Sequence, residues 1–459
     1  MPMTNAPTAI STLPLVPRNP LPLRQQMLAM KKFYTGIEIL RDAGGDVTRL
    51  KMGPKWLVPE LVLATSSQAA HDILGATGTS TDVTRFHDEL RHLLGPSMLV
   101  LHHERWLPRR RILQPTFTKQ RVRAFAGHMA LAAETVAAGW RDSEVIDLGA
   151  DCRHLTMRAL SSSVLGIDLD KRTDEVEAAM RVALGYVNRR AVRPLRAPRW
   201  LPTWARRRAR AAGATLHALA NTILQDCRSD PDRDAPLVRA LMEATDPATG
   251  RKLSDDDICN ELVIFMFAGN DTTALTMSYA LWALGRHSDV QERVRAEIAE
   301  IGDRQLTSDD VPRLQYTVQV IQEALRLSSP TAAMSRVVTR DMEVAGYRVK
   351  AGTICSVAVY LLNRDPAVWV RPLDFDPERF NPENSAVSDR WQYIPFGAGP
   401  RSCIGNHFSM LEATLALATI IRSTEIRSLD DEFPLPEPWS TAATLPIRAQ
   451  ARTRATVTG

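Results

Sequence analysis

Apolar residues recur at helical spacing through most of the chain between residues 66 and 326. Residues three and four positions apart share one face of a helix, so this periodicity predicts a mostly helical body. The predicted helices span residues 120–140, 148–165, 172–187, 204–226, 254–285 and 316–327. The fifth is the longest, and it opens with Ser254 as a predicted N-cap followed by three aspartates.

Shorter apolar segments on both sides of this region predict strands. A hairpin is predicted at 47–52 and 56–63 around Gly53-Pro54, with further strands at 335–344, 353–360 and within 444–456. A Pro-rich irregular stretch covers 365–400, and a last helix runs from about residue 403 to 422. The pattern therefore predicts a mainly α protein with a smaller β-sheet side.

Composition narrows the class of protein. The chain has 459 residues, 44% hydrophobic and 24% charged, and no internal linker divides it. We expect a Pro-rich N-terminal arm with a first helical segment at 1–46, and a single domain at 47–459. Neither the opening nor the longest apolar run, 262–268, is long enough to span a bilayer, which predicts no transmembrane anchor.

Net charge and cysteine content indicate which partners and which compartment to expect. The net charge is +5, but the arginines are not interleaved with aromatics in a nucleic-acid-binding module, so no nucleic-acid partner is predicted. Five scattered cysteines are typical of a reducing cytosol rather than a disulfide framework, so a cytoplasmic location is expected.

The stretch Phe396-Gly-Ala-Gly-Pro-Arg-Ser-Cys-Ile-Gly405 carries the strongest chemical signal. Its glycines allow the backbone to wrap closely and turn N–H groups toward the sulfur of Cys403. The helix that follows places its positive end near the same sulfur, which favours a thiolate. No Cys-x-x-Cys is present, which argues against structural zinc or iron–sulfur sites, and one thiolate on a haem iron fits best.

This loop resembles the haem-binding loop of the cytochrome P-450 superfamily, the haem-thiolate monooxygenases. The resemblance implies the P-450 fold, a haem b cofactor, and Cys403 as the single iron ligand from the chain. It also implies that Phe396, Arg401 and Gly405 bind the cofactor.

The centre of the long helix reads Ala268-Gly-Asn-Asp-Thr-Thr273, a run of poor helix formers between apolar turns. It is similar to the oxygen-activation motif of the superfamily. The resemblance implies that Ala268 and Thr272 overhang the haem. Asp271 would feed protons from solvent, and Thr272 would hold the water or the activated oxygen. Threonine hydroxyls can also bond back to the carbonyl four residues earlier and open the helix.

Two further motifs match the superfamily. Glu323-x-x-Arg326, with Arg379 downstream, would form a buried triad whose role is structural. Trp106-x-x-x-Arg110 resembles a propionate clamp, although Pro108 requires a helix that starts near residue 105 or is distorted. That leaves Arg109 and Arg111 open as alternatives to Arg110.

The resemblance also implies propionate contacts and pocket walls. Arg336 and Arg401 would bind propionates. The predicted pocket, which would take a hydrophobic substrate, is lined by Met98, Leu99, Val100, Ile264, Phe267, Ala268, Ala332, Ala333, Met334 and Ser440.

The implied function is monooxygenation with O2 and two electrons, to hydroxylate or epoxidise a fatty acid, terpenoid or steroid. Electrons are expected from NAD(P)H through a separate ferredoxin or flavodoxin with its reductase. Docking is predicted on a basic face with Arg109, Arg111, Lys119, Arg121 and Arg123. A peroxide-driven peroxygenase or hydroperoxide isomerase, and a non-catalytic haem-binding gas sensor, remain alternatives.

The segment 189–210 holds nine arginines with Trp200 and Trp204. Two interpretations remain open: a solvated loop and helix face, or a basic lid that makes peripheral contact with an anionic membrane or admits acidic lipids.

Overall fold

Over the residues that it describes, the computed structural model shows a mainly helical protein with three small sheets. The structure describes residues 10–54, 56, 58–167, 169, 172–193, 195–246, 248–384, 389–435 and 445–453. The helices are Leu23–Lys31 (α1), Phe33–Gly44 (α2), Ser67–Gly75 (α3), Arg85–Leu94 (α4), His103–Leu113 (α5), Lys119–Val122 (α6), Ala126–Gly139 (α7), Leu148–Leu160 (α8), Thr173–Val192 (α9), Trp204–Ser229 (α10), Pro236–Glu243 (α11), Asp255–Arg286 (α12), Ser288–Ala299 (α13), Gln315–Leu327 (α14), Val359–Leu362 (α15) and Asn406–Ser423 (α16).

The strands form a minor part of the described chain. They are Val47–Leu50 (β1), Leu61–Ala64 (β2), Thr81–Asp82 (β3), Glu144–Asp147 (β4), Met334–Val338 (β5), Met342–Val344 (β6), Tyr347–Val349 (β7), Ile354–Val357 (β8), Thr424–Ser428 (β9) and Arg448–Thr453 (β10). The largest sheet has the order β1-β2-β8-β5-β3, and only its β2–β8 pair is parallel. The others are β4-β10-β9 and the hairpin β6-β7.

The long central helix is confirmed. α12 runs from Asp255 to Arg286, and the Ser254 hydroxyl accepts a hydrogen bond from the Asp257 N–H at 3.2 Å. Most of its residues are buried, and it packs against α8, α10, α14 and α16. Its position at the centre of the helical body makes it one wall of any interior site.

Several predicted elements differ in extent. Residues 120–140 form two helices, α6 and α7, joined by a 3-10 turn at Arg123–Phe125. Phe125, at the end of this turn, is buried with its ring centroid 5.8 Å from that of Phe408. The second hairpin strand starts at Leu61 rather than at 56, and the predicted strand at 335–344 divides into β5 and β6. Strand 353–360 ends at Val357 and is followed by the short α15.

The N-terminal helices belong to the packed body. Ala29 of α1, with Phe33, Ile37 and Leu40 of α2, belongs to an apolar cluster that includes Leu50 and Leu63 of the large sheet. The domain division at residue 46 stays a prediction. No helix in the described part of the chain is both long and apolar enough to cross a bilayer.

Candidate active site

The cysteine loop is closed by its own backbone. The Cys403 N–H donates to the Phe396 carbonyl at 2.8 Å, and Gly397 and Gly399 adopt left-handed φ values of 70° and 73°. A Cβ on Gly399 would lie 2.4 Å from the Leu74 carbonyl oxygen. At Gly399 a side chain would meet both the unfavourable backbone angle and this contact, so glycine is required there for the shape of the loop.

The environment of the Cys403 sulfur differs from that of the other cysteines. Burial raises the pKa of the thiol, while a hydrogen bond from the Gly405 N–H and the charge of Arg110 lower it. Cys403 is nevertheless exposed to solvent, whereas the other four cysteines are buried. A thiol that is surrounded by protein and yet reached by solvent borders an interior space. α16 begins three residues later, at Asn406.

The adjacent arginines of α5 point in different directions. Arg110 donates from Nη1 to the Ser402 carbonyl at 3.2 Å, beside the cysteine. Arg109 is buried and pairs with Glu261 at 3.0 Å and Asp257 at 2.6 Å, both on α12. Arg109 is therefore neither an alternative propionate ligand nor part of an exposed docking face, because its charge is paired with these two carboxylates. Pro108 lies past the first turn of α5, which begins at His103.

Two more arginines converge near the indole ring of Trp106. Arg401 stacks on Trp106 at 4.8 Å and lies 3.5 Å from the Asp82 carboxylate. Its Nε is buried without a hydrogen-bond partner. Arg336 is buried and donates from Nε to the Thr77 hydroxyl at 3.2 Å. Burial lowers the pKa of both guanidiniums to about 10, and Asp82 opposes this in each case.

Asp82 and His87 complete this cluster, and neither carries a sequence motif. Burial alone would raise the pKa of Asp82, but hydrogen bonds from the Val83 and His103 N–H groups bring it below its usual value. Burial lowers the pKa of His87 to about 3, with Arg336 and Arg401 adding to the effect. His87 is therefore neutral at physiological pH, and Asp82 is the acid that opposes both arginines.

The central turn of α12 is open to solvent on one side. Ala268 is exposed although the turns on either side are buried. The Thr272 hydroxyl donates to the Ala268 carbonyl at 2.7 Å, the predicted back-bond, and the helix continues as an α-helix. Asp271 is half-buried and accepts from the Asn270 amide at 3.4 Å.

The next residue, Thr273, joins α12 to α16. Its hydroxyl lies 3.0 Å from that of Ser409, six residues after the cysteine. The motif turn of α12 thus packs beside the helix that follows the cysteine loop. Glu412, one turn further along α16, is fully buried, and burial raises its pKa well above the usual value, with the Thr273 hydroxyl opposing. Sequence reasoning missed this acid.

The predicted triad is assembled in the structure. Arg326 donates to both carboxylate oxygens of Glu323 at 2.7 Å, and both side chains are fully buried. Arg379 reaches Glu323 from its Nε at 3.3 Å. Arg326 also donates to the carbonyls of Asn363, Pro372 and Asp374, so it fastens the irregular chain before the cysteine loop to α14.

The predicted pocket walls divide among three apolar clusters. Met98, Leu99, Val100, Ile264 and Phe267 belong to the main helical cluster. Met334 joins the cluster of the large sheet, while Ala332 and Ala333 pack with α1 and α2. Val100 is 0% exposed, so it packs as core, whereas Leu99 and Phe267 are partly exposed. Ser440 lies outside the described residues.

Comparison with known proteins identifies the family. The cytochrome P-450 family model matches residues 14–451. The chain belongs to the cytochrome P-450 family. Cyclooctatin synthase of Streptomyces melanosporofaciens is 30% identical over 436 residues, covering 93% of both chains. Leukotriene-B4 omega-hydroxylase 3 of Mus musculus is 29% identical over 416 residues, covering 84% of this chain and 78% of that protein.

The solved haem domain of cytochrome P-450DA has the same fold. It matches with a TM-score of 0.81 at 23% identity, covering 96% of this chain and 98% of that one. The predicted mainly α P-450 fold is therefore confirmed. The relatives include enzymes named as monooxygenases and oxygenases, so this protein is a cytochrome P-450 monooxygenase.

The residues present fit the haem that the family implies. The buried cluster sets Arg336 and Arg401 against the single carboxylate of Asp82, and Arg401 Nε has no partner. A propionate would supply the acceptor that Arg401 Nε lacks, and a second propionate would balance the remaining positive charge. The solvent-reached Cys403 sulfur would supply the thiolate ligand.

Proposed function

We propose that the protein inserts one atom of O2 into a C–H or C=C bond of a hydrophobic substrate. The observation that carries this proposal is the contact between Thr273 and Ser409. It places the Ala268–Thr272 turn of α12 beside α16, the helix that follows Cys403. The haem, when bound, would supply activation of O2 at its iron. Trp106, Arg110, Arg336 and Arg401 would hold its propionate side, and Phe396 and Gly405 would shape the cysteine loop.

The chain's own contribution is control of protons. The Thr272 hydroxyl proton is committed to the Ala268 carbonyl. Its oxygen can therefore only accept a further hydrogen bond, which suits it to hold a water molecule in a fixed orientation. Asp271 is half-buried on the adjacent face, where it can exchange protons with solvent and pass them inward.

Substitutions in this turn test the assignment. Thr272→Ala should leave haem content and substrate binding unchanged but lower the product formed per electron consumed. Asp271→Asn should slow turnover by about 10²-fold, because a positioned acid is lost. Thr273→Ala is the matched control, since its hydroxyl faces Ser409. Unchanged coupling in Thr272→Ala would withdraw the role of this hydroxyl.

A ligand test separates this proposal from the alternatives. Cys403→Ser should lose the thiolate-type carbon monoxide spectrum of the reduced protein. Turnover with a surrogate ferredoxin pair, compared with added peroxide, distinguishes a monooxygenase from a peroxygenase or hydroperoxide isomerase. Binding without turnover under either condition would indicate a haem-binding gas sensor.

We infer that electrons come from NAD(P)H through a separate ferredoxin or flavodoxin and its reductase in the cytoplasm. The exposed cations Lys119 and Arg121 lie on α6, which packs against α16 beside the cysteine loop. Arg111 is also exposed, whereas Arg123 is engaged by Asp309. An acidic partner would be steered to this face. The scattered spacing of the five cysteines along the chain is typical of a reducing compartment.

The substrate class that we propose is lipid-like: fatty acid, terpenoid or steroid. One relative is named cyclooctatin synthase and another leukotriene-B4 omega-hydroxylase 3. The segment 189–210 supports a peripheral membrane contact, since Trp200 and Trp204 are 80% and 73% exposed. Co-sedimentation with anionic vesicles, lost in a double Trp→Ala variant, would test it.

A further inference from the structure

The buried carboxylate of Glu89 forms ion pairs with three arginines. Glu89 of α4, only 4% exposed, lies 2.9 Å from Arg190 Nε, 3.1 Å from Arg196 Nη1 and 3.5 Å from Arg199 Nη2. Arg190 belongs to α9, and the other two lie on the connection between α9 and α10. One negative charge is thus shared among three positive charges.

A fourth cation increases the imbalance. Arg85 is exposed, lies one turn before Glu89 on α4, and has no ion pair within the described residues. Burial lowers the pKa of Arg196, and Arg85 lowers it further while Glu89 opposes. The nearby Asp88 is occupied by Arg91 at 2.7 Å. We call Arg85, Arg190, Arg196 and Arg199, with Glu89 at their centre, the arginine cluster.

The arginine cluster is held in a fixed shape. Arg206 is buried and donates from Nη1 to the carbonyls of Pro198 and Leu201 at 2.7 and 2.6 Å. Arg190 donates to the Ala197 carbonyl at 3.0 Å. These bonds fix the connection on which Arg196 and Arg199 lie. A pre-organised set of guanidiniums loses little entropy when it binds an anion.

α4 connects this cluster to the candidate active site. The charges of Arg336 and Arg401, in the proposed haem cleft, lower the pKa of His87 on α4. Arg91 of α4 donates to the carbonyl of Val100, in the predicted wall, at 3.4 Å. The arginine cluster therefore lies one helix away from the cleft, and the exposed side chains of Leu195 and Trp200 lie on the same connection.

We propose that the arginine cluster binds the carboxylate of an amphiphilic substrate at the mouth of the cleft, so that the substrate is a long-chain carboxylic acid. This rests on the proposed monooxygenase function and narrows its substrate class. Glu89 shows that the guanidinium spacing accommodates a carboxylate, and the surplus of positive charge provides the attraction for a second one.

Paired ligands provide the test. Hexadecanoic acid and hexadecanol differ only at the head group, and each is titrated into the holoprotein while the haem absorption shift is followed. The acid should bind more tightly than the alcohol. Arg196→Gln and Arg85→Gln should each weaken the acid by about tenfold and leave the alcohol unchanged. Arg181→Gln is the matched control, because Arg181 of α9 is 76% exposed and pairs weakly with Glu177.

Glu89→Gln gives a prediction of opposite sign. Removing the competing carboxylate should tighten the acid and leave the alcohol unchanged. A purely structural Glu89 would instead weaken both ligands when replaced. Equal affinity for acid and alcohol in the wild-type protein, or equal weakening of both in Arg196→Gln, would overturn the inference.

The experiments distinguish failure of this inference from failure of the proposed function. A normal carbon monoxide spectrum and coupled turnover without acid selectivity would overturn this inference alone, whereas loss of turnover on every ligand would overturn the proposed function. If Arg196→Gln reduces co-sedimentation with anionic vesicles but not acid affinity, the arginine cluster holds a bilayer surface and the substrate assignment is wrong.

Discussion

Replacement of Arg326 by lysine should destabilise the protein strongly. The guanidinium is fully buried, and all five of its N–H groups have acceptors: the two oxygens of Glu323 and the carbonyls of Asn363, Pro372 and Asp374. It also lies 5.1 Å from the ring of Trp369. Lysine keeps the charge but not the fork geometry.

The magnitude follows from the bonds that lysine cannot make. An ammonium group has three donors, so at least two of the five acceptors lose their partner. A hydrogen bond to a charged group contributes about 1.5–3 kcal/mol, so Arg326→Lys should cost about 3–6 kcal/mol. The three carbonyls belong to the chain that leads to the cysteine loop, so haem retention should fall together with stability.

Urea unfolding of the holoprotein, with the rate of haem loss measured in parallel, checks this prediction. Arg371→Lys is the matched control. Its side chain is 69% exposed and pairs with Asp374 at 3.4 Å, so it should cost less than about 1 kcal/mol. If Arg326→Lys unfolds within about 1 kcal/mol of the wild type, the triad does not stabilise the fold as argued.

Three other predictions concern the loop, a buried acid and the docking face. Gly399→Ala should lower haem retention, because its Cβ would lie 2.4 Å from the Leu74 carbonyl oxygen. Glu412→Gln should flatten the pH dependence of stability. The raised folded-state pKa of Glu412 means that wild-type stability falls as pH rises above about 4.5, by up to about 1.4 kcal/mol per pH unit. Lys119→Glu with Arg121→Glu should slow reduction by an acidic partner without changing substrate affinity.

Each of these has its own control. Gly352→Ala meets a similar positive φ, 84°, with nothing within 4 Å of the new Cβ, so it should cost only the backbone strain. For Glu412, unfolding at pH 5.5 and 8 should differ less in the variant than in the wild type, and an equal difference would contradict the argument. Reduction rates that do not respond to salt would exclude electrostatic docking on α6.

Local signals made the long helices predictable. The Ser254 cap and the apolar spacing after it predict α12 within one residue at either end. The division of 120–140 carries no local signal, and the turn at residues 123–125 places Phe125 against Phe408, far along the chain. The glycines of the cysteine loop were predictable because their backbone angles are a property of the residue type.

Site residues that belong to motifs could be predicted from the sequence. The direction in which a helical side chain points could not, as Arg109 and Arg110 show. Arg109 and Arg110 are adjacent and chemically identical, so their roles could not be separated in sequence. One turns to the carboxylates of Asp257 and Glu261, and the other to the Ser402 carbonyl. Asp82, His87 and Glu412 were missed because each is a single polar residue that belongs to no motif.

Two clusters of this protein hold more arginines than carboxylates, and they differ in whether every buried arginine N–H has an acceptor. Glu323 also faces two arginines, yet Arg326 fills every N–H with a carboxylate or carbonyl oxygen, so that cluster is complete without a ligand. Around Asp82 the count of charges is similar, but Arg401 keeps a buried Nε without an acceptor. A buried donor without an acceptor adds a desolvation cost that donors with acceptors avoid. The proposed propionate cluster therefore has a physical requirement for an anionic partner that the structural triad lacks.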